Sequence, residues 1–283
     1  MPHGSHWTAA FPDKEIDDVV SRIVPETIVR GKPMTPLGSS APFDAKAHSP
    51  GDFVSLLHRD GGPLAMCAVI LMKIPGESND LASAYPVVCD GPECELEVNG
   101  FAPPDDDDPD AGYESLISAI DCNGSEFNFF APSFPTDKTA LSRRGRFMFR
   151  LGALAYWLER AESSIEIKEG PLLALERKRV AEEGGDPESV TSVTVRTDSM
   201  RMYFDRGGGD FEFQSVIESI QEFRAFGEQF WSFRVRLTPE EDGGVHVDML
   251  VHKSNVRGEG ALSVGDPIRG IAWLQGTPSR LSA

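Results

Sequence analysis

Two segments near the end of the chain alternate apolar and polar residues over enough positions to predict β-strands. Phe230 to Leu237 and Val245 to Lys253 each repeat with a period of two, which is the side-chain period of a half-buried strand. A turn at Gly265-Asp266 then leads into another apolar segment that closes on Gly276. Because one face of each alternating strand must be buried, this part of the chain predicts a small antiparallel barrel.

Strand signals also run through most of the chain after residue 52. They predict strands at Phe53 to His58, Pro63 to Ile74, Tyr85 to Cys89, Glu93 to Phe101, Ser125 to Phe130, Arg146 to Leu151, Ser192 to Arg196, Met200 to Asp205, Asp210 to Phe223 and Asp266 to Leu274. Ala153 to Ala161 is interpreted as a strand that turns into a loop. Helices are predicted at Asp13 to Val24, from its helical apolar spacing, and at Pro171 to Glu183, which begins with Pro and ends before Gly184-Gly185.

This pattern predicts a mainly β fold of the α+β type, with two β-barrel-like domains and a linking helix. The expected divisions are an N-terminal helix and extended connector (1–50), a β-rich domain (51–162), the linking helix (163–186) and a second barrel domain (187–283). A chain of 283 residues is long enough for two such cores.

The second barrel resembles the five-stranded oligonucleotide/oligosaccharide-binding (OB) barrel in its order of elements. A long strand from Asp210, two alternating strands, a connector and a closing strand together cover residues 210 to 276. A long strand must bend to serve two sides of a small barrel, as the segment from Asp210 is expected to do. The resemblance implies that one polar sheet face binds a ligand.

Charge restricts the classes of partner. The chain carries 27 Lys and Arg against 45 Asp and Glu, a formal net charge of -18. A phosphate backbone would be repelled at long range, so we expect no nucleic acid partner, whereas a basic protein partner would be attracted. The longest apolar segment, Pro63 to Met72, is about half of what a bilayer crossing needs. We therefore expect a cytoplasmic protein with no membrane contact.

The four cysteines and the N-terminus suggest no cofactor or metal. Cys67, Cys89, Cys94 and Cys122 are too sparse for a disulfide scaffold and lack zinc-type spacing, which predicts buried free thiols on strands. The opening residues contain a Gly-Ser-His string that cloning often leaves. On that interpretation His3 and His6 have no functional weight.

One polar strand face is the candidate ligand-binding surface. Alternation places His246, Asp248 and His252 on one side of their strand, away from Val247 and its apolar neighbours. Cross-strand pairing would bring two arginines beside Asp248. With Trp273 as a possible stacking neighbour, the candidate residues are Arg234, Arg236, His246, Asp248, His252 and Trp273. The commoner interpretations are a solvated hairpin face and a tryptophan that seals the barrel.

Other charged or glycine-rich segments predict ordinary structural roles. The acidic segment Asp105 to Asp110 does not match the calcium-loop pattern and is expected to be a solvated loop. Gly207 to Gly209 lacks the residues of a phosphate-binding loop and predicts a turn. Four arginines between residues 143 and 150 form a local positive cluster, for which pairing with the chain's own carboxylates is the economical explanation: Arg143, Arg144, Arg146 and Arg150.

These observations favour a noncatalytic binding or protein-interaction module over an enzyme. One alternative is a hydrolase whose polar residues converge only in three dimensions. Another is an acidic inhibitor or immunity-type protein that masks a basic partner. No metal or cofactor is expected in the first interpretation.

Overall fold

The structure, a computed structural model, describes residues 3–37, 49–74, 76–102, 113–238 and 244–281. Strands make up 49% of it and helices 19%, so strand pairing determines the architecture. The predicted mainly β fold class is therefore confirmed. The acidic segment Asp105 to Asp110 lies outside the described residues.

Most described strands overlap a predicted segment, and several extend beyond it. Four short strands lie outside the predicted segments: Lys32–Pro33, Leu116–Ile120, Ser164–Ile167 and Val256–Arg257. The strands of the first half are β1 (Lys32–Pro33), β2 (Phe53–Arg59), β3 (Leu64–Leu71), β4 (Asp80–Val88), β5 (Glu93–Ala102), β6 (Leu116–Ile120), β7 (Glu126–Phe130), β8 (Gly145–Arg160) and β9 (Ser164–Ile167). Those of the second half are β10 (Val193–Arg196), β11 (Met202–Gly207), β12 (Asp210–Ala225), β13 (Glu228–Arg236), β14 (His246–His252), β15 (Val256–Arg257) and β16 (Pro267–Leu281).

Four helices lie in the described part of the chain. They are α1 (Gly4–Ala10), α2 (Ile16–Arg30), α3 (Phe134–Leu141) and α4 (Pro171–Glu182). The helix predicted to end at Val24 continues past Pro25 as α2, because its buried face extends to Thr27 and a proline removes only one backbone hydrogen bond. None of these helices is long and apolar enough to cross a bilayer.

Two of the three longest strands, β8 and β16, pair with each other and join both halves of the chain. The first part of β8 is antiparallel to β5, where Arg150 lies opposite Glu93, and its second part is parallel to β14, where Gly152 lies opposite Asp248. In the same way β16 pairs first with β12 and then, at Gln275, with β7. Each of these two strands therefore forms hydrogen bonds with strands from both halves of the chain.

As a result, the strand pairings return to their starting point in two circuits. One runs through β12, β13, β14, β8 and β16 and back to β12. The other runs through β5, β6, β7, β16 and β8 and back to β5. The small barrel predicted within residues 210 to 276 thus lacks one strand of its circuit, which β8 supplies. The domain boundaries at 162 and 186 stay a prediction, while strands from both sides of them share one ten-stranded sheet.

Glycines allow other residues to approach the centres of the long strands. A Cβ added at Gly152 of β8 would lie 2.3 Å from Cγ1 of Val88, and one at Gly276 of β16 would lie 2.4 Å from the Phe129 ring. Both distances are far below van der Waals contact. Gly152 and Gly276 therefore leave the space that Val88 and Phe129 occupy beside β8 and β16.

A second sheet, formed by β1 to β4, packs against the large sheet and encloses two helices. One face of β3 and β4 contacts α1 and α2 through Leu64, Met66 and Ala84. The other face contacts Phe130 of β7 and Trp273 of β16. Burial on both faces explains why β3 reads in the sequence as a continuous apolar segment.

Candidate functional site

The predicted pairing of an arginine with Asp248 is present on the outer face of β13 and β14. Arg234 lies opposite Asp248 in register. Its Nε and Nη2 atoms donate hydrogen bonds of 2.8 and 3.0 Å to the two carboxylate oxygens. Hydrogen bonding to Asp248 raises the pKa of Arg234. The pair is therefore a two-point, charge-assisted contact on the protein surface.

A second charge pair continues this face toward β12. His246 lies opposite Arg236 in register, and its Nδ1 atom is 2.8 Å from Oε2 of Glu218. About a third of each of the two side chains, His246 and Glu218, is exposed, at 35% and 31%. We call Arg234, Arg236, His246, Asp248 and Glu218 the polar row. Because Asp248 already binds Arg234 and Glu218 already contacts His246, a ligand there would have to displace existing partners.

His252 and Trp273 do not belong to the polar row. His252 is 5% exposed, and its Nδ1 atom accepts a hydrogen bond from the backbone N–H of Ser254 at the turn after β14. The expectation that His252 faces solvent is wrong, because the segment after α1 packs over the end of this strand through Asp13 and Ser254. Trp273 is 0% exposed, as expected for a residue that seals the core.

Trp273 instead lies in a buried cluster with two histidines from the N-terminus. The His6 ring stacks on its indole with centroids 3.6 Å apart and planes within 10°. Nδ1 of His3 is 2.9 Å from Nδ1 of His6, and Nε2 of His3 is 3.0 Å from Oε2 of Glu114. The prediction that His3 and His6 have no functional weight stays a prediction, while their packing gives them a structural role. Both rings are packing partners in the core.

The open side of this cluster carries a carboxylate and a phenol. The Tyr156 hydroxyl donates a 2.6 Å hydrogen bond to Asp210, whose Oδ1 atom is 3.9 Å from Nε2 of His6. Burial lowers the pKa of His6, and hydrogen bonding to Asp210 opposes that effect. Burial also raises the pKa of Tyr156 above its ordinary value. The arrangement favours a neutral His6. A single proton is then shared between the rings of His6 and His3.

No group of three or more His, Cys, Asp or Glu side chains in the described ranges is arranged so that it could hold a metal ion. The cysteines are also separated, with Cys67 buried, Cys89 and Cys94 half-buried and Cys122 exposed. Burial raises the pKa of Cys67 to about 12 and that of Cys89 to about 11. The prediction of buried thiols is confirmed for Cys67 and wrong for Cys122, which lies in the turn before β7.

The opposite face of β13 borders an open apolar groove that the sequence analysis missed. Its volume is about 250 Å³. We call it the β13 groove, and its lining residues are Ile220, Trp231, Phe233, Lys253, Val256, Gly258, Gly260, Ala261 and Leu262. Trp231 and Phe233 face it because they are two residues apart on one strand. Positive φ angles of 91° and 89° at Gly258 and Gly260 form the loop that makes its wall.

A detectable signal for the β13 groove exists in the sequence. Trp231 and Phe233 alternate toward one side, and the glycine-rich segment Gly258 to Leu262 precedes the closing strand. The sequence does not indicate that these two segments lie side by side, because their proximity depends on how the strands are arranged around the circuit.

Comparisons of this chain with protein-family models, curated proteins and solved structures found no match.

Proposed function

We propose that this protein is a noncatalytic binding module for a basic protein partner, anchored in the β13 groove. The observation that carries the proposal is a largely apolar recess lined in part by the half-buried Trp231. Binding energy at protein interfaces is concentrated where one side chain fills such a recess and excludes water. The groove volume of about 250 Å³ suits one large apolar side chain rather than a whole cofactor.

Charge supports a basic partner. The chain has a net charge of -18, and two exposed carboxylates flank the groove. Glu222 lies opposite Trp231 in register, and Glu259 lies in the loop between Gly258 and Gly260. Complementary charge raises the association rate and suppresses wrong partners. We therefore propose an apolar anchor residue flanked by Lys or Arg on the partner.

We also propose that each five-strand circuit is an OB-like barrel that takes one strand from the other half of the chain. In this assignment β13 and β14 correspond to the second and third strands, whose face and adjoining loops bind ligands in OB barrels. Fold analogy alone does not supply a function. The analogy supports the proposal because the β13 groove and the polar row, on opposite faces, both include residues of β13.

A hydrolase is the second candidate, favoured by the cluster of His3, His6, Glu114 and Asp210. His3 lies within hydrogen-bond distance of His6 and Glu114, and Oδ1 of Asp210 lies 3.9 Å from Nε2 of His6. The hydrolase ranks second because His6 is stacked on Trp273, so a substrate would have to displace α1 to reach the rings. An acidic inhibitor that masks a basic partner is a special case of the first proposal, in which binding also blocks the partner's activity.

A peptide-display selection with random sequences tests the proposal. We expect the selected peptides to combine one large apolar residue with flanking Lys or Arg. Filling the groove by Ala261→Trp should weaken the binding of such a peptide by about tenfold or more. Val264→Trp is the matched control, because Val264 is 63% exposed in the same loop and does not line the groove.

Two further measurements complete this test. Peptide affinity should fall as salt is raised from about 0.01 M to about 1 M, because screening weakens attraction between exposed charges. An Arg234→Ala/His246→Ala variant separates the polar row from the groove. The Ala261→Trp variant could bind the peptide as tightly as the wild type while the Arg234→Ala/His246→Ala variant loses binding. That result would show that the peptide binds the polar row and not the β13 groove.

A further inference from the structure

A second, larger cavity lies on the side of the molecule where α2 ends. Its volume is about 600 Å³, and four elements meet around it: the end of α2, β1, the end of β2 and the middle of β8. The lining residues are Arg30, Lys32, Pro33, Met34, Thr35, Leu57, His58, Arg59 and Arg150. We call it the basic cavity.

The chemistry of this lining differs from that of the chain as a whole. None of the nine described lining residues is acidic, and five carry a cation or can acquire one. The chain as a whole is strongly acidic, with a net charge of -18. Cations that converge in an acidic protein need a specific explanation, because solubility is served by the opposite sign.

Internal ion pairs explain part of this convergence. Arg30 is 2.9 Å from Glu26, Arg59 contacts Asp90 through both of its terminal nitrogens at 3.3 Å, and Arg150 is 3.2 Å from Glu93. Side chains of these three arginines are between 47% and 68% exposed. Such exposed pairs contribute little to stability, so a stronger anion displaces the carboxylates at little cost.

Lys32 is not explained in this way. Among the described residues no carboxylate pairs with its ammonium group, and Lys32 lines the same cavity as the three arginines. The C-terminus of a helix attracts cations, which accounts for Arg30 in the last turn of α2 and for Lys32 just after it. It does not account for Arg59 and Arg150, which come from β2 and β8.

We propose that the basic cavity binds a small, multiply charged phosphate compound. Arginine forks match phosphate oxygens in a two-point geometry, and lysine adds a point charge. Cations from four elements surround a volume larger than one phosphate group, so a ligand with two or more phosphates contacts several of them at once. A singly charged anion would gain too little to overcome the repulsion of the acidic chain.

Isothermal titration of the full chain with tripolyphosphate, at constant ionic strength, tests this proposal. We expect saturable binding with one site, and weaker or undetectable binding of citrate, which has comparable charge without phosphate groups. Arg150→Gln and Lys32→Gln should each weaken tripolyphosphate binding by about tenfold, the effect of losing one charge-assisted hydrogen bond.

Arg146→Gln is the matched control. Arg146 lies on the same strand as Arg150, is equally engaged with β5 through Glu95 and Glu97, and does not line the cavity. This variant should bind tripolyphosphate as the wild type does. Equal weakening by Arg146→Gln and Arg150→Gln would mean that overall charge alone governs binding, and the proposal would be overturned. Absence of binding, or citrate binding as tight as that of tripolyphosphate, would also overturn it.

Discussion

His6 is the residue whose environment differs most from that of an ordinary surface histidine. Its ring is stacked on Trp273, and Nδ1 faces Nδ1 of His3 at 2.9 Å. One ring nitrogen must donate and the other accept, so only one proton fits between them. Burial lowers the pKa of His6, and His3 acts in the same direction, while Asp210 and Glu114 oppose both.

A pH dependence of stability follows from this lowered pKa. The unfolded state binds the proton more tightly than the folded state, so the free energy of unfolding rises with pH in this range. His6 therefore contributes stability above its ordinary value of 6.5, and this contribution is lost as the pH falls below that value. Urea unfolding at several pH values should show a smaller loss in His6→Gln than in wild type.

Thr8→Gln is the control for this prediction. Thr8 is exposed on the same helix and carries no titratable group, so its variant should keep the wild-type slope of stability against pH. If His6→Gln also keeps that slope, the buried histidine pair has no part in the acid sensitivity of the protein.

The contact between Arg234 and Asp248 could be predicted from the sequence, but the position of Trp273 beside His6 could not. Strand alternation and hairpin pairing are local properties, and both partners of the first contact lie within 14 positions of each other. The second contact joins residues at opposite ends of the chain. Nothing in the sequence near His6 indicates which surface α1 covers. Neither the histidine cluster nor the burial of His252 could therefore be predicted.

At the scale of the element, the strands were predictable in kind, and the lengths of β8 and β16 were not. Hydrophobic alternation predicted a strand at Arg146 to Leu151 and another at Ala153 to Ala161, which the structure joins into one strand. The break between them is Gly152, a residue that ordinarily weakens a strand. Here close packing with Val88 requires it, and that reason becomes visible only when β4 is in place.

Gly152→Ala tests this explanation. The new Cβ would lie 2.3 Å from Val88 Cγ1, and overpacking of this kind costs about 1 to 3 kcal/mol in the free energy of unfolding. Val88→Ala removes the nearer clashing atom, Cγ1, and leaves Cβ at 2.7 Å from the new Cβ. The double variant should therefore recover part of the loss and be more stable than the sum of the two single changes implies. Chemical denaturation of the four proteins gives this coupling energy.

Gly100→Ala is the matched control for the glycine change. No heavy atom lies within 4 Å of the position of its added Cβ, so this substitution should be neutral or slightly stabilising. Additive effects of Gly152→Ala and Val88→Ala would show that the contact with Val88 does not determine the choice of glycine.

At the scale of the whole molecule, the exchange of strands between the two circuits decides how the protein unfolds. The sequence predicted two successive domains because local strand signals are separated by a helix, α4. It could not indicate that the circuit of β12, β13 and β14 is completed by β8, which precedes α4 in the chain. Pairing partners that lie far apart in sequence are not encoded in any local pattern.

We therefore expect the two halves of the chain to unfold as one cooperative unit. A fragment of residues 187–283 lacks β8, which leaves an edge of β14 and most of β16 without a partner; edges of this kind remain unpaired or associate. Circular dichroism should show no cooperative thermal transition for this fragment alone. Mixing it with residues 1–186 should restore strand signal, because β8 then pairs with β14 and β16. Full-length protein should give coincident transitions by circular dichroism and tryptophan fluorescence. A cooperative transition of the isolated fragment would instead show that β8 is dispensable to the second circuit, and that the boundary predicted at residue 186 separates two independent domains.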